Sequence, residues 1–167
     1  MIRFFNSPAV EVDETLVTHL VNGRGVYESQ CWVLGAIDRS TKEFVLEVVG
    51  NNRSQEKFKE FFAKHINTAI GNPTRVYTDG HRSYEFLSDA GYFHRRITHE
   101  RGFGVGVNTT NRIESFWSTL KRFGNFNKGV TFSSISDVES AVSEASWRIL
   151  CNQQDINPAV DLARIIK

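Results

Sequence analysis

The chain has 167 residues, 40% of them hydrophobic and 12% aromatic, and its 20 basic and 19 acidic side chains give a formal net charge of +1. That is enough apolar material for one buried core, and no composition shift marks a linker, so a single domain is expected. The apolar runs are too short for a bilayer span, and the N-terminus lacks the long apolar run and small-residue cleavage site of a secretory signal. Cys31 and Cys151 form no Cys-x-x-Cys pair and have no histidines at ligand spacing, which indicates neither a disulfide nor a zinc site.

Along the chain, Val10 and Val12 alternate with Glu11 and Asp13 in the stretch from Val10 to Val17. This is the period of a strand with one buried face, so Asp13 is expected to point away from the valines. After a turn around Asn22 to Gly25, Gln30 to Ile37 is a second predicted strand. Arg39 to Lys42 is a turn and Phe44 to Val49 a third strand, completing an antiparallel meander. Asn52-Arg53-Ser54 opens a helix with Phe58, Phe61, Phe62, His65 and Ile66 along one side, and Gly71-Asn72-Pro73 ends it. Thr74 to Asp79 is a fourth strand that breaks at Gly80, directly after the acid, where open α/β sheets place ligands. Ser83 to Ala90 reads as a short helix and Tyr92 to Thr98 as a fifth strand. The loop from Arg101 to Asn108 has three spaced glycines but not the spacing or Lys-Ser/Thr ending of a phosphate cradle.

The stretch from Asn108 to Phe123 is amphipathic. At about 100° per residue, Ile113, Phe116, Trp117, Leu120 and Phe123 share one side. Asn111, Glu114, Ser115, Ser118, Lys121 and Arg122 share the other, a face suited to phosphate and metal. The same residues also read as helix-end chemistry, with Asn111 as N-cap, Glu114 completing a capping box, and the basic pair complementing the helix dipole. Ser133 to Cys151 is a long helix capped by Ser133 or Ser134, and Pro158 starts a short terminal one. Cys31 then lies in a strand and Cys151 in a helix, both expected as buried thiols. Arg95, Arg96, Arg101, Arg112, Lys121, Arg122 and Lys128 crowd one region in which Glu100 and Glu114 are the only acids. Such a stripe fits a phosphate backbone, although a solvated face is its commoner meaning.

Three strands, a helix, a strand, a short helix, a strand and further helices make a mixed α/β layer pattern. That order lets the first and fourth strands lie side by side at the sheet centre and brings Asp13 to Asp79. Glu114, on a helix packed across the sheet, would complete a triad of carboxylates. Such a cluster repels itself unless a divalent cation neutralises it, and hard oxygen ligands suit Mg²⁺ or Mn²⁺.

Val12-Asp13-Glu14-Thr15, the block from Tyr77 to Tyr84, and the block from Asn108 to Arg122 carry a resemblance to the DDE-type transposases. In particular the chain resembles the ISXO2-like transposase domain of bacterial insertion sequences, to which the eukaryotic Merlin elements are similar. The resemblance implies an α/β, ribonuclease H-like fold, a five-stranded mixed sheet with helices packed on both faces, with residues 1–167 forming a single DDE catalytic domain. It implies Asp13 and Asp79 as metal ligands, Mg²⁺ or Mn²⁺ as cofactor, and phosphodiester hydrolysis and strand transfer at transposon ends. The spacing from Asp79 to Glu114 suits such triads, and Lys121, two turns beyond Glu114, matches a basic residue that these enzymes often keep. This branch is often described with Asn in the third place, a role that would fall on Asn111. Glu114 is favoured because a carboxylate neutralises charge that an amide cannot.

The expected partners are DNA, both transposon ends and target, engaged by a homodimer or higher oligomer without a membrane. Arg95, Arg96, Arg112, Lys121 and Arg122 are the expected DNA contacts, while His81, Arg82 and His99 are assigned surface or loop roles first. No segment matches the N-terminal zinc ribbon of full-length members, so a catalytic domain without its end-binding segment is expected. Its setting would be the bacterial cytoplasm and nucleoid, or the nucleus in a eukaryote. Two other functions compete: a ribonuclease H-like nuclease or resolvase without strand transfer, and a catalytically silent DNA-binding remnant.

Overall fold

The computed structural model describes residues 7–66, 74–97, 110–158 and 161. Strands β1 (Ala9–Val21), β2 (Tyr27–Asp38) and β3 (Phe44–Gly50) form the expected meander, with β1 and β2 longer than their alternation alone suggested. The extra length is the hairpin end, where Thr18 to Val21 pair with Tyr27 to Cys31. Helix α1 (Gln55–His65) is capped by Ser54, whose side chain accepts from the Lys57 backbone N–H. Strand β4 (Arg75–Thr78), a 3₁₀ turn (Arg82–Tyr84), α2 (Phe86–Asp89), β5 (Phe93–Arg96), α3 (Asn111–Phe123) and α4 (Ile135–Gln153) follow.

The sheet order is β3-β2-β1-β4-β5. β1 to β3 are antiparallel, and β4 and β5 run parallel to β1. Val10, Val12, Leu34, Ala36 and Val76 pack on one face against Phe58, Phe61 and Phe62 of α1 and against Tyr84 and Leu87. On the other face, Val17, Cys31, Val33 and Ile37 meet Ile113, Phe116, Trp117 and Leu120 of α3 and the apolar stripe of α4. This is the ribonuclease H-like arrangement, with helices on both faces of a mixed five-stranded sheet. Cys31 and Cys151 are free and buried.

Two sequence expectations need correction. β1 does not have one buried face: as the central strand it is covered by helices on both sides, and Glu11 and Glu14 are 1% and 8% exposed. Helix α3 does not start with an Asn111–Glu114 capping box either. Thr110 is the N-cap and makes no side-chain cap bond, so Asn111 is already helical. The open N–H groups of the first turn are taken across space, by a carboxylate of β1. Glu11 Oε2 accepts the backbone N–H of Arg112 and of Ile113, each at 3.0 Å. That carboxylate also offsets the positive end of the helix dipole. In α4 the sequence signal holds, since Ser134 caps it in a complete box with Asp137. The glycine-spaced loop and most of the terminal helix lie outside the described residues. Among the described residues no helix is long and apolar enough to cross a membrane.

Candidate active site

The site forms where β1 and β4 run side by side. Their parallel pairing sets Glu11 opposite Tyr77. Two residues further along each chain come Asp13, still in β1, and Asp79, just past the end of β4. Asp79 Oδ1 accepts the backbone N–H of His81 at 2.9 Å, which turns the chain out of the sheet. Asp13 faces α3, where Trp117 Nε1–H donates to its Oδ2 at 2.9 Å.

Burial pushes the Asp13 carboxyl up to about 7 against the opposing Trp117 hydrogen bond, and the charges of Glu14 and Asp79 add to the rise. The charge of Asp79 thus reaches Asp13. Lys121 completes the group from α3: burial lowers its ammonium pKa while the charge of Asp13 draws it back up. The two acids and the lysine that the sequence singled out therefore share one electrostatic neighbourhood.

The acids on either side of Asp13 are of a different kind. Glu11, besides holding the start of α3, pairs with Arg39 Nε at 2.9 Å, and that guanidinium lies 3.7 Å over the Tyr77 ring. Glu14 points to the opposite face, where it pairs with Arg53 and accepts the Tyr84 hydroxyl at 2.7 Å. Burial, with the charge of Glu14, holds that phenol well above its usual pKa. Ser83 Oγ donates to the Arg53 carbonyl at 2.8 Å, and the His81 ring packs near Phe58 and Tyr84. The block from Tyr77 to Tyr84 is therefore largely an anchor that ties the Asp79 loop to β1 and to the start of α1. Sequence reasoning missed Glu11, Glu14 and Arg53. The available signal was three acids crowded into one central, valine-rich strand, more than such a strand can hold without partners.

Other expected residues are spread more widely. Glu114 is exposed, with Oε1 accepting the Thr110 hydroxyl at 2.9 Å. Asn111 is exposed on the rim of a cavity of about 390 Å³ that Arg112, Ser115 and Asn152 also line. Among the described residues no three His, Cys, Asp or Glu side chains come together as a metal-holding group. Asp13 and Asp79 are within electrostatic reach of each other, and Glu114 lies on the helix that Asp13 faces.

The basic residues divide between two elements. Arg112 and Arg122 are exposed on α3, and Arg95 and Arg96 on β5, where Arg96 Nη2 donates to the Gly80 carbonyl at 3.2 Å. Beside α3 a cavity of about 440 Å³ is lined by Lys121, Arg122, Lys128, Ser118, Thr119 and Asn127, with no acid in its described lining. His99 lies outside the described residues.

A family model for the ISXO2-like transposase domain matches residues 7–134. The chain is 30% identical over 89 residues to a transposase-like protein of Haemophilus influenzae, an alignment covering 53% of this chain and 68% of that one. Among solved structures, it is similar to the integrase catalytic core domain of HTLV-2 determined in complex with magnesium. The TM-score is 0.51 at 11% identity, over 87% of this chain and 86% of that one. It is similar also to a chain of the simian T-cell lymphotropic virus intasome in complex with PP2A regulatory subunit B56 gamma, with a TM-score of 0.51 at 13% identity. That match covers 88% of this chain, which spans about half, 49%, of the intasome chain.

Proposed function

Since the chain belongs to the ISXO2-like transposase domain family, we propose that it cuts and joins DNA phosphodiesters at transposon ends with a divalent cation held by Asp13 and Asp79. The observation that carries this reading is the juxtaposition of those two carboxylates with Lys121 where β4 ends beside β1. Paired carboxylates in a partly buried place suit a hard cation such as Mg²⁺ or Mn²⁺. When bound, such an ion polarises the phosphodiester and promotes attack by water or a 3′-hydroxyl.

The chain's own residues do the rest. Asp13 and Asp79 supply the negative charge that holds the cation. Lys121, within electrostatic reach of Asp13, would meet the scissile phosphate, and the cavity that it lines with Arg122 and Lys128 would receive the neighbouring phosphates. Arg95, Arg96 and Arg112 extend the basic surface to either side. These contacts address the backbone rather than base edges, so they position DNA without reading its sequence. Assembly as a homodimer or higher oligomer on DNA belongs to the same proposal.

Helix α3 supplies the third ligand, and we assign it to Glu114 in preference to Asn111. Glu114 must then exchange the Thr110 hydroxyl for the cation. The test compares Glu114→Gln with Asn111→Ala on Mn²⁺-dependent cleavage of an end-bearing duplex. Asn111 is not the cap, so its truncation should leave the fold unchanged. A folded Glu114→Gln protein without cleavage, beside an active Asn111→Ala protein, supports the assignment. The reverse pattern moves the third position to Asn111.

A further inference from the structure

We propose that Trp117 is the positioning residue of Asp13 and that Gly35 is the slot that seats it, an inference that rests on the metal-site reading above.

Three observations converge. Trp117, 5% exposed, donates its indole N–H to Asp13 Oδ2 at 2.9 Å. Gly35 is the direct partner of Asp13 in the β1–β2 ladder, and Leu46 is the partner of Gly35 in the β2–β3 ladder. A Cβ placed on Gly35 would come within 2.5 Å of Trp117 Cη2 and 2.8 Å of Leu46 Cδ2. Residue 35 thus sits beside Asp13 on the same face of the sheet, and its missing side chain is the space in which the indole ring lies. Gly35 does not have the positive φ that favours glycine, so the demand there is for room rather than for a special backbone angle.

The chemistry of the donor explains why this seat holds a tryptophan. An indole N–H donates and cannot accept, titrate or ligate a metal. It fixes Oδ2 without competing with a cation for the carboxylate's charge. Such outer contacts orient a ligand and tune its affinity, and their loss typically weakens metal binding about 10–100-fold. A phenylalanine could fill much of the same space but could not hold the carboxylate. The Glu11 contacts to Arg112 and Ile113 lie two residues earlier on the same strand face. Helix α3 is therefore fastened to β1 at two successive points, and the second is the candidate metal ligand itself.

The test measures Mn²⁺ affinity by calorimetry for the full chain and for Trp117→Phe, Gly35→Ala, Asp13→Asn and Asp79→Asn. Thermal unfolding identifies which variants fold. The Trp117 indole ¹⁵N–¹H resonance is recorded in the parent and in Asp13→Asn. A folded Trp117→Phe or Gly35→Ala protein with Mn²⁺ affinity about 10–100-fold weaker supports the proposal. Parent-like affinity in a folded Trp117→Phe protein overturns it. If neither variant folds, the indole resonance decides: a clear upfield shift in Asp13→Asn supports the positioning bond, and no shift overturns it. If the parent binds Mn²⁺ no better than Asp79→Asn, the metal reading fails, and the same resonance still judges whether Trp117 holds Asp13.

Discussion

Asp13 and Glu14 are neighbours on the central strand, both drawn into the interior, and the protein treats them in opposite ways. Glu14, on the α1 face, is met by the Arg53 guanidinium and the Tyr84 hydroxyl. Asp13, on the α3 face, is met by a neutral indole N–H, has Lys121 at electrostatic range, and stands close enough to Asp79 for the two charges to oppose each other. A buried carboxylate with a guanidinium partner is already neutralised and serves the fold. One held beside another acid, with its carboxyl pushed up to about 7, retains a demand for positive charge. What distinguishes the candidate functional acid from its neighbour is therefore the set of groups around each, since the residue type is nearly the same.

The largest effect is expected on the Glu14 side. Arg53→Ala leaves a buried carboxylate without its guanidinium and should cost about 3–5 kcal/mol in urea unfolding, while the folded fraction keeps its response to Mn²⁺. Asp79→Asn should do the opposite. The fold should persist, and cleavage of an end-bearing duplex should fall by about 10²–10³-fold, the usual loss when one electrostatic stabiliser is removed.

The pH dependence sharpens the contrast at a smaller scale. The folded pKa of Asp13 is raised from the usual 3.8 of an aspartate to about 7, so the metal-free folded state binds the extra proton. Its stabilising contribution is complete below about pH 4 and is lost as pH rises through about 7. Relative to Asp13→Asn, the metal-free parent should lose about 1–3 kcal/mol between pH 4 and pH 8 in urea titrations, allowing for partial solvent screening. The smallest effect belongs to a site remote from both acids. Ser134→Ala removes the α4 cap and should cost about 0.5–2 kcal/mol in thermal unfolding without changing Mn²⁺ affinity.

Much of this arrangement was legible in the chain. Period-two alternation placed Asp13 opposite the valines, and the break at Gly80 placed Asp79 at a strand end. The strand order then brought the two together. The apolar stripe of α3 was equally plain, because Ile113, Phe116, Trp117 and Leu120 recur at helical spacing and all are buried. What local pattern could not reveal was the partnering of charges across the fold. Glu11 reads as the polar side of a strand, and its bond to Ile113 spans 102 positions of sequence. Asn111 and Glu114 imitate a capping box because they have the right types at the right interval. The helix instead starts from Thr110, whose carbonyl takes the Glu114 N–H, while Glu11 takes the N–H groups of Arg112 and Ile113. Gly35 gave no signal either, since its role depends on a tryptophan from another element lying over it.

At the centre stands the proposal that Asp13 and Asp79 form a cation site in which metal competes with the proton that burial favours on Asp13. Calorimetric titration of the full chain with Mn²⁺ at pH 6 and pH 8 tests it most directly. Tighter apparent binding is expected at pH 8, with proton release on binding at pH 6, and both should be lost in Asp13→Asn and Asp79→Asn. Binding that is equally strong at both pH values and survives in both variants would contradict it.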